Sequence, residues 1–362
     1  MASNIDISGL TLNPKEVDSI SEFIVERTFN DPTLQAIHAV WTGIQMKEQI
    51  VFASQLGLTG IIDGGCSRPN SGAESVQTEK YWEPADIGDT LIHCQKDVDS
   101  LYKAYYSKIQ KYTDKFDITG SDLQKFLMVL LDEAVMRSIW RIAWYGDTSV
   151  AASGASAAGL VVVGNVQYFN QIDGLWNQIF AGVTATDIAK PITPLTALNA
   201  LTTTATQVAL TAGDSVLTFE AMWTAADSRL RSDENAQFLA TREVFEDYRR
   251  YLQGKGENST IEYTTDGFPA LKWNGVNIVN METVWDLTGR TYFEQDSTNN
   301  AYDIPNRVVL SVPANLPIGT LNENDMKEVK SWYNEDERVM KSAFGYTLDA
   351  KVLEEYMIVV AY

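Results

Sequence analysis

Two cysteines and two histidines are all that 362 residues supply of the side chains most used in redox and metal chemistry. Cys66 and Cys94 are too few for a disulfide framework. The sequence alone does not exclude a bridge between them, but a reducing compartment argues against one. His93 and Cys94 are adjacent, and on a strand adjacent side chains point to opposite faces, so with Cys66 they would not converge on a zinc ion. No CxxC or HxxxH spacing accompanies them, and no metal site is expected. The other histidine is His38. With only two, the commonest general base is nearly absent. A GxSxG nucleophile elbow and an HExxH helix are also missing.

No apolar run approaches the roughly 20 residues that cross a bilayer. The opening "MASNIDISGLTLNPKE" has no basic stretch followed by an apolar one, so no secretory leader is expected. These readings point to a soluble protein made and kept in a cytoplasm. Basic side chains are scarce as well: 28 against 48 acids, a formal charge of −20. A nucleic-acid binder needs a basic footprint to displace counterions, and the average here is the opposite. The densest basic stretch, "RRYLQGKG" over 249–256, reads as a helix end with cations against the dipole.

What is present is ordinary for a folded chain. Hydrophobic residues are 45% and charged residues 21%, so a packed core is expected. The length allows two or three domains, or one elaborate one. "NPKEVDSISEFIVERTF" has Asn13 as N-cap, Pro14 at the first helical position and Glu16 in the capping box. A second helix is expected over about 34–46. From Ile50 to Asp99 the texture changes to Gly, Ser, Asn and Pro between short β-type runs, with "DGG" and "RPNSG" as turn chemistry. Nearly fifty such residues between helices read as a long two-stranded excursion. A lone hairpin is marginal in water and needs a partner surface. Its "KYWEP", Lys80 to Pro84, sets Tyr81 and Trp82 where no core of the chain's own is expected. Aromatics dominate the buried centres of interfaces, so contact with another subunit is the expectation there.

"DITGSDLQKFLMVLLDEAVMRSIWRIAWYGD" is the clearest helix. Leu123, Phe126, Leu127, Leu130, Ala134, Val135, Ile139, Ile142 and Ala143 recur at helical spacing. From Asp122 to Trp144 it predicts a rod of about 35 Å. The Gly- and Ala-rich "YGDTSVAASGASAAGLVVVGN" follows it. As a phosphate cradle it fails, because it follows a helix where such loops follow a strand, and no Lys or Arg lies between Arg141 and Lys190. It reads as a loop of small side chains. Leu175, Trp176, Ile179 and Phe180 make a short amphipathic helix, and 184–214 resists assignment. Beyond Ser215 helices and strands alternate: "VLTFEAMWTAADSRLR" as helix, "QFLATR" as buried strand, "EVFEDYRRYLQGKG" as helix, and Asn274-Gly275 as the turn of a hairpin. "NRVVLSVP" and the apolar C-terminus read as strands. "DSTNNAYD" matches a calcium loop in composition only, since Ala301 and Arg307 stand where Gly and Glu are needed. Among so many acids no carboxylate pair is singled out, as a glycosidase would require. Glu335, Asp336 and Glu337 read as a solvated turn or an intersubunit rim.

Taken in order, "KYWEPADIGDTLIHCQKDVDSLY", "IAWYGDT", "YFNQIDGLWNQI", "FLATREVFEDYRRYL" and "GFPALKWNGVNIVNM" followed by "VVLSVPANLPIGT" resemble the major capsid proteins of tailed bacteriophages. The shell fold is of the Hong Kong 97 type, and the versions from phages of Bacteroidetes hosts look most similar. The resemblance covers most of the chain from about Lys80 onward. It implies an α+β capsid fold: an N-terminal arm (1–50), an extended loop (51–98), a peripheral domain with a long spine helix (99–194 and 326–362) and an axial domain (195–325). It implies a shell subunit, not an enzyme, with no cofactor, that self-assembles as hexamers and pentamers around phage double-stranded DNA. Assembly takes place in the host bacterial cytoplasm, and the final location is the virion. Lys80, Tyr81, Trp82 and Glu83 are the expected intersubunit contact. Some family members join a loop Lys to a neighbour's Asn, but no motif here identifies a partner for Lys80. Fifty residues ahead of the loop are too few for a built-in scaffold, so a separate scaffolding protein is implied, beside portal and decoration proteins. DNA is met by non-specific proximity only, and no membrane is involved. Two other readings stand beside this one: an encapsulin-like compartment shell, and an acidic carbohydrate-active hydrolase.

Overall fold

The computed structural model describes residues 32–53, 77–94, 122–150, 155–156, 159–160, 165–201, 203–255, 262–263, 269–296, 301–321, 330–334 and 339–362. The helix capped by Asn13, Cys66 and the Glu335–Glu337 run lie outside these residues.

The long helix spans Asp122–Tyr145, within one residue of the expected span. Its last turns are buried: Val135, Ile139, Trp140, Ile142, Ala143, Trp144 and Tyr145. This end is the axis of one hydrophobic core. The helix Leu175–Ala185 packs beside it, through Leu175, Trp176 and Ile179. The joint between the two helices is made by glycines. The Gly174 amide donates to the Gly146 carbonyl at 2.9 Å, so two of the quoted motifs, "IAWYGDT" and "YFNQIDGLWNQI", meet in space. A five-stranded sheet covers the same core. Its long strand Val339–Ala350 pairs antiparallel with Ala85–Cys94, with Lys330–Asn334 and with Ile318–Thr320, and the last of these pairs parallel with Val40–Thr42.

A second core lies on the other side of a six-stranded sheet. Its order is Ile358–Ala361, Val308–Ser311, Gln237–Ala240, Val276–Asn280, Pro269–Trp273, Glu262–Tyr263. The helices Asp214–Ala225 and Arg242–Gly254 pack on it through Phe219, Met222, Val244, Phe245, Tyr248 and Leu252. The sheet is a shared wall. Leu239, Val309 and Val360 belong to the first core, while their neighbours Phe238, Ala240, Val308, Leu310, Val359 and Ala361 belong to the second. Successive side chains on a strand alternate faces, so strands covered on both sides read as unbroken apolar runs. That is why "FLA", "VVL" and "IVVA" carry no polar alternation.

Arg307 sits where the two cores meet, 2% exposed. Its guanidinium lies 4.8 Å from the ring centre of Trp176 and 5.3 Å from that of Tyr145. Its Nε donates to the Ile304 carbonyl at 2.7 Å. The charge is thus kept among aromatic faces and carbonyl oxygens, which a buried cation requires.

The structure departs from two expectations. The helix expected over 34–46 stops at Ile37, and Val40–Thr42 is a strand. The β-branched and aromatic "VWT" finds a partner in Ile318–Thr320, and Gly43 turns the chain with φ of +80°. The stretch "VLTFEAMWTAADSRLR" breaks into two helices, because Asp227 leaves the helical conformation and its side chain caps Arg229 N of the second. The apolar C-terminus is a strand as expected, and it enters the six-stranded sheet, where Ile358–Ala361 pairs with Val308–Ser311. That strand offers four consecutive buried partners, Val308, Val309, Leu310 and Ser311. Asn274 and Gly275, at φ of +48° and +86°, form the expected two-residue turn.

Candidate assembly surface

The excursion expected over 51–98 has its paired base at Gln49–Ala53 and Gln77–Tyr81, antiparallel with Gln49 opposite Tyr81. Residues 54–76 and 95–98 lie outside the described residues. Ala85–Cys94 joins the five-stranded sheet instead.

The two faces of the hairpin base differ. The inner face carries Lys80, whose Nζ donates to the Val352 carbonyl at 2.6 Å and pairs with Glu355 Oε1 at 2.5 Å. The outer face carries Val51, 56% exposed, and Tyr81, 41% exposed. The Tyr81 hydroxyl donates to Glu79 Oε1 at 2.6 Å, and that carboxylate raises the phenol's pKa. Off the ribbon, Met46 in the turn before it is 69% exposed, and Trp41 in the strand Val40–Thr42 is 38% exposed. Val51 and Tyr81 are thus solvent-facing on one side of a narrow ribbon, which by itself stabilises nothing.

Trp82 is placed otherwise. It is 1% exposed, so the expectation that it lies outside the chain's own core is corrected. Its ring centre is 5.7 Å from that of Trp41. It rests on Gly319, where an added Cβ would sit 2.9 Å from Trp82 Cζ3 and 2.6 Å from Ile44 Cδ1. The Trp82 amide donates to the Glu48 carbonyl at 3.0 Å, and its carbonyl accepts from the Lys47 amide at 2.7 Å. The chain leaves the ribbon after Tyr81 and turns inward, so strand alternation does not set this ring's direction. Glu83 follows, its amide donating to Asp349 Oδ2 at 2.7 Å with its own side chain exposed. Burial raises the Asp349 carboxyl pKa, against the pull of Lys351.

Of the four expected contact residues, then, Lys80 and Trp82 are engaged within the chain, while Tyr81 and the Glu83 side chain face outward. Sequence reasoning missed Trp41, Met46 and Val51. Their only signal was an apolar residue on the solvent side of a strand or turn. A cleft of about 510 Å³ runs beneath the ribbon, lined by Lys80, Asp173, Gln178, Asp187, Lys351 and Glu355 among others. Its charges are of both signs, and Lys80 is paired with Glu355 within it. Among the described residues no group of three His, Cys, Asp or Glu side chains is placed to hold a metal ion, and no helix is long and apolar enough to cross a membrane.

No protein-family model and no curated sequence matches the chain. Solved structures do. A chain of the satellite phage P4 procapsid, which includes its size determination (Sid) protein, aligns over 93% of this chain and 95% of its own length, at TM-score 0.50 and 12% identity. A chain of Gordonia phage Cozz aligns over 91% and 84%, at TM-score 0.48 and 11% identity. A chain of the holo-SrpI encapsulin complex from Synechococcus elongatus PCC 7942 aligns over 100% and 91%, at TM-score 0.43 and 9% identity.

Proposed function

We propose that this chain, which has the tailed-phage capsid fold of the Hong Kong 97 type, is a major capsid protein that self-assembles as hexamers and pentamers into the icosahedral shell of a phage head. The observation that carries the reading is the match to the procapsid chain along almost the whole length of both proteins. In this reading the first core, with the long helix, is the peripheral domain, and the second is the axial domain. The subunit works by binding other copies, and its location is the virion. Assembly takes place in a host bacterial cytoplasm, with separate scaffolding, portal and decoration proteins.

The ribbon supports the same reading. Val51 and Tyr81 gain little while they face water. Covering a side chain of this size contributes about 1.5–3 kcal/mol. Repeated around a shell, contacts this weak close a large assembly while each remains reversible. Replacing both Val51 and Tyr81 by serine is expected to leave the melting temperature of the free subunit within about 1–2 °C of the original, since exposed sites contribute little to stability. The same variant is expected to lower the yield of particles at least tenfold. Light scattering and negative-stain microscopy read the yield, and particles formed at the original yield would remove the ribbon from the interface.

Charge opposes the contact. Six copies carry a formal charge of −120, six times the −20 of one. Like charges repel over the Debye length, which is about 30 Å at 0.01 M salt and 10 Å at 0.1 M. Particle yield is therefore expected to rise with ionic strength across that range. A yield that falls as salt is added would contradict it. An acidic inner surface also does not hold packaged DNA, so the packaged duplex is met by proximity and slides. Microscopy of the purified protein tests the whole reading. Rings or closed shells are expected, and a monodisperse monomer at high salt and millimolar concentration would overturn it.

A further inference from the structure

His38 closes a joint that the capsid role does not use. It is 1% exposed and follows the short helix Pro32–Ile37. Both ring nitrogens are engaged. The Trp144 indole N–H, which can only donate, reaches His38 Nε2 at 3.2 Å. Nε2 is therefore the acceptor, and the proton is on Nδ1, which donates to the Leu316 carbonyl at 2.7 Å. The rings of Trp140 and Trp144 flank the imidazole at 5.3 and 5.5 Å between centres. One neutral ring thus joins three parts of the chain: the segment 32–42, the end of the long helix, and the turn before Ile318–Thr320.

A second proton at Nε2 has no place there. It would face the Trp144 N–H, donor against donor, and leave a desolvated charge whose new proton has no acceptor. Among the described residues no charge compensates. On the long helix Arg141 is turned to the rings of Tyr168 and Phe169, and Arg137 is exposed. Beside the Leu316 turn, Glu354 gives its backbone to Asn315 and its carboxylate to Tyr356. The helix 32–37 has no ionisable side chain. The segment is otherwise held by Leu34 and Ile37 in the core, by the short parallel ladder of Val40–Thr42, by the Ala39 amide donating to the Pro313 carbonyl and by Gln237 Nε2 donating to the Ala36 carbonyl, and by the ring of Trp41 against Trp82.

We propose that His38 is a proton-operated clasp: neutral, it fastens the segment 32–42 to the body of the subunit, and acid releases that segment ahead of the rest of the fold. The direction follows from burial, which holds the imidazole at about 4, while the bond to Leu316 pulls it back toward 6.5. A released ring takes up its proton near the ordinary value of 6.5, before the clasped one does. The clasped state therefore loses stability as pH falls from about 6.5 toward 4, and is indifferent to pH above about 7. Between pH 7.5 and 5.0 the opening equilibrium is expected to rise about 30-fold. Asp286 titrates in the same window, since burial holds it up at about 6, but with the opposite sign and against Arg242 and Arg290 instead.

Hydrogen exchange of the full-length protein tests this, with rates corrected for the intrinsic effect of pH. Peptides over 32–42 are expected to open about 30-fold more readily at pH 5.0 than at 7.5, while peptides over Val308–Ser311 are not. In His38→Gln the segment should open more readily at pH 7.5 and show no further rise with acid. An equal rise in the variant, or none in the original protein, would overturn the proposal. Should His38→Gln not fold, His93→Gln leaves His38 as the sole histidine. Its imidazole resonance is then expected to titrate near 4, and titration near 6.5 in the folded protein would equally overturn the clasp.

Discussion

Gly146→Ala is expected to lower the melting temperature of the subunit by about 6 °C or more, a loss of about 3 kcal/mol or above. The reason is the identity of the obstructing atoms. A Cβ built on Gly146 would lie 2.5 Å from the Ile172 carbonyl oxygen and 2.7 Å from that of Ile142. Both are backbone, so no rotamer change relieves the contact. The chain itself must shift, and it is fixed there from several sides. The Gly146 amide donates to the Ile142 carbonyl at 2.9 Å, and the Asp147 amide to the Phe169 carbonyl at 2.8 Å. The facing glycine leaves no slack, since a Cβ on Gly174 would lie 2.7 Å from the Gly146 nitrogen. Moving this joint also moves Trp144 and Tyr145, and with them the aromatic cluster of Trp176, Trp285 and Phe293. Gly254→Ala is the control. It ends the helix Arg242–Gly254, and an added Cβ meets nothing within 4 Å. There the change is expected to be neutral or to stabilise by about 0.5–1 kcal/mol, through lost freedom of the unfolded chain. Thermal denaturation of the two variants side by side decides the matter, and an unchanged melting temperature for Gly146→Ala would refute the close approach.

The same glycines show where the sequence speaks and where it is silent. "YGD" and "IDG" stand out in composition, but nothing local says that the two pack against each other. The long helix was legible because its whole apolar period lies within one stretch. The hairpin at Asn274-Gly275 was legible because two adjacent residues need positive φ. The runs around Phe238, Val309 and Val359 were legible as buried strands, since continuous apolar sequence has few other uses. Their order in the sheet was not, and the C-terminal strand shows why. It crosses beside Val308–Ser311 because a both-faces-buried strand needs apolar layers above and below, and only the assembled sheet has them. Val40–Thr42 is the converse case. Its local pattern continues a helix, yet the long-range ladder with Ile318–Thr320 prevails. For the candidate surface, the ribbon itself was readable from turn chemistry, but the residue that fastens it was not. Trp82 finds its seat on Gly319, more than 200 residues away, and no spacing rule reaches that far.

Trp82→Ala is expected to cost the isolated subunit about 3–5 kcal/mol, the usual range for removing a fully buried aromatic side chain. The indole packs between Trp41, Ile44 and the bare backbone of Gly319, and Gly319 has no side chain to fill the gap. Its backbone is tied on both sides to Lys47 and Glu48, so the ring fastens the ribbon's base to the sheet strand Ile318–Thr320. Loss of the ring therefore loosens the ribbon as well as the core. Tyr81→Ala, one residue earlier, is expected to behave in the opposite way. Its ring is largely in water, so the subunit's stability should change by less than about 1 kcal/mol. Its contribution is expected to appear only when a second copy covers it. The two variants separate folding from assembly if both are measured twice: melting of dissociated subunits at low salt, and particle yield at high salt. Trp82→Ala should fail the first measurement, and Tyr81→Ala only the second. If instead Trp82→Ala melts normally and yet blocks assembly, the indole serves a neighbouring copy, and its burial in the lone chain is not the reason for its presence.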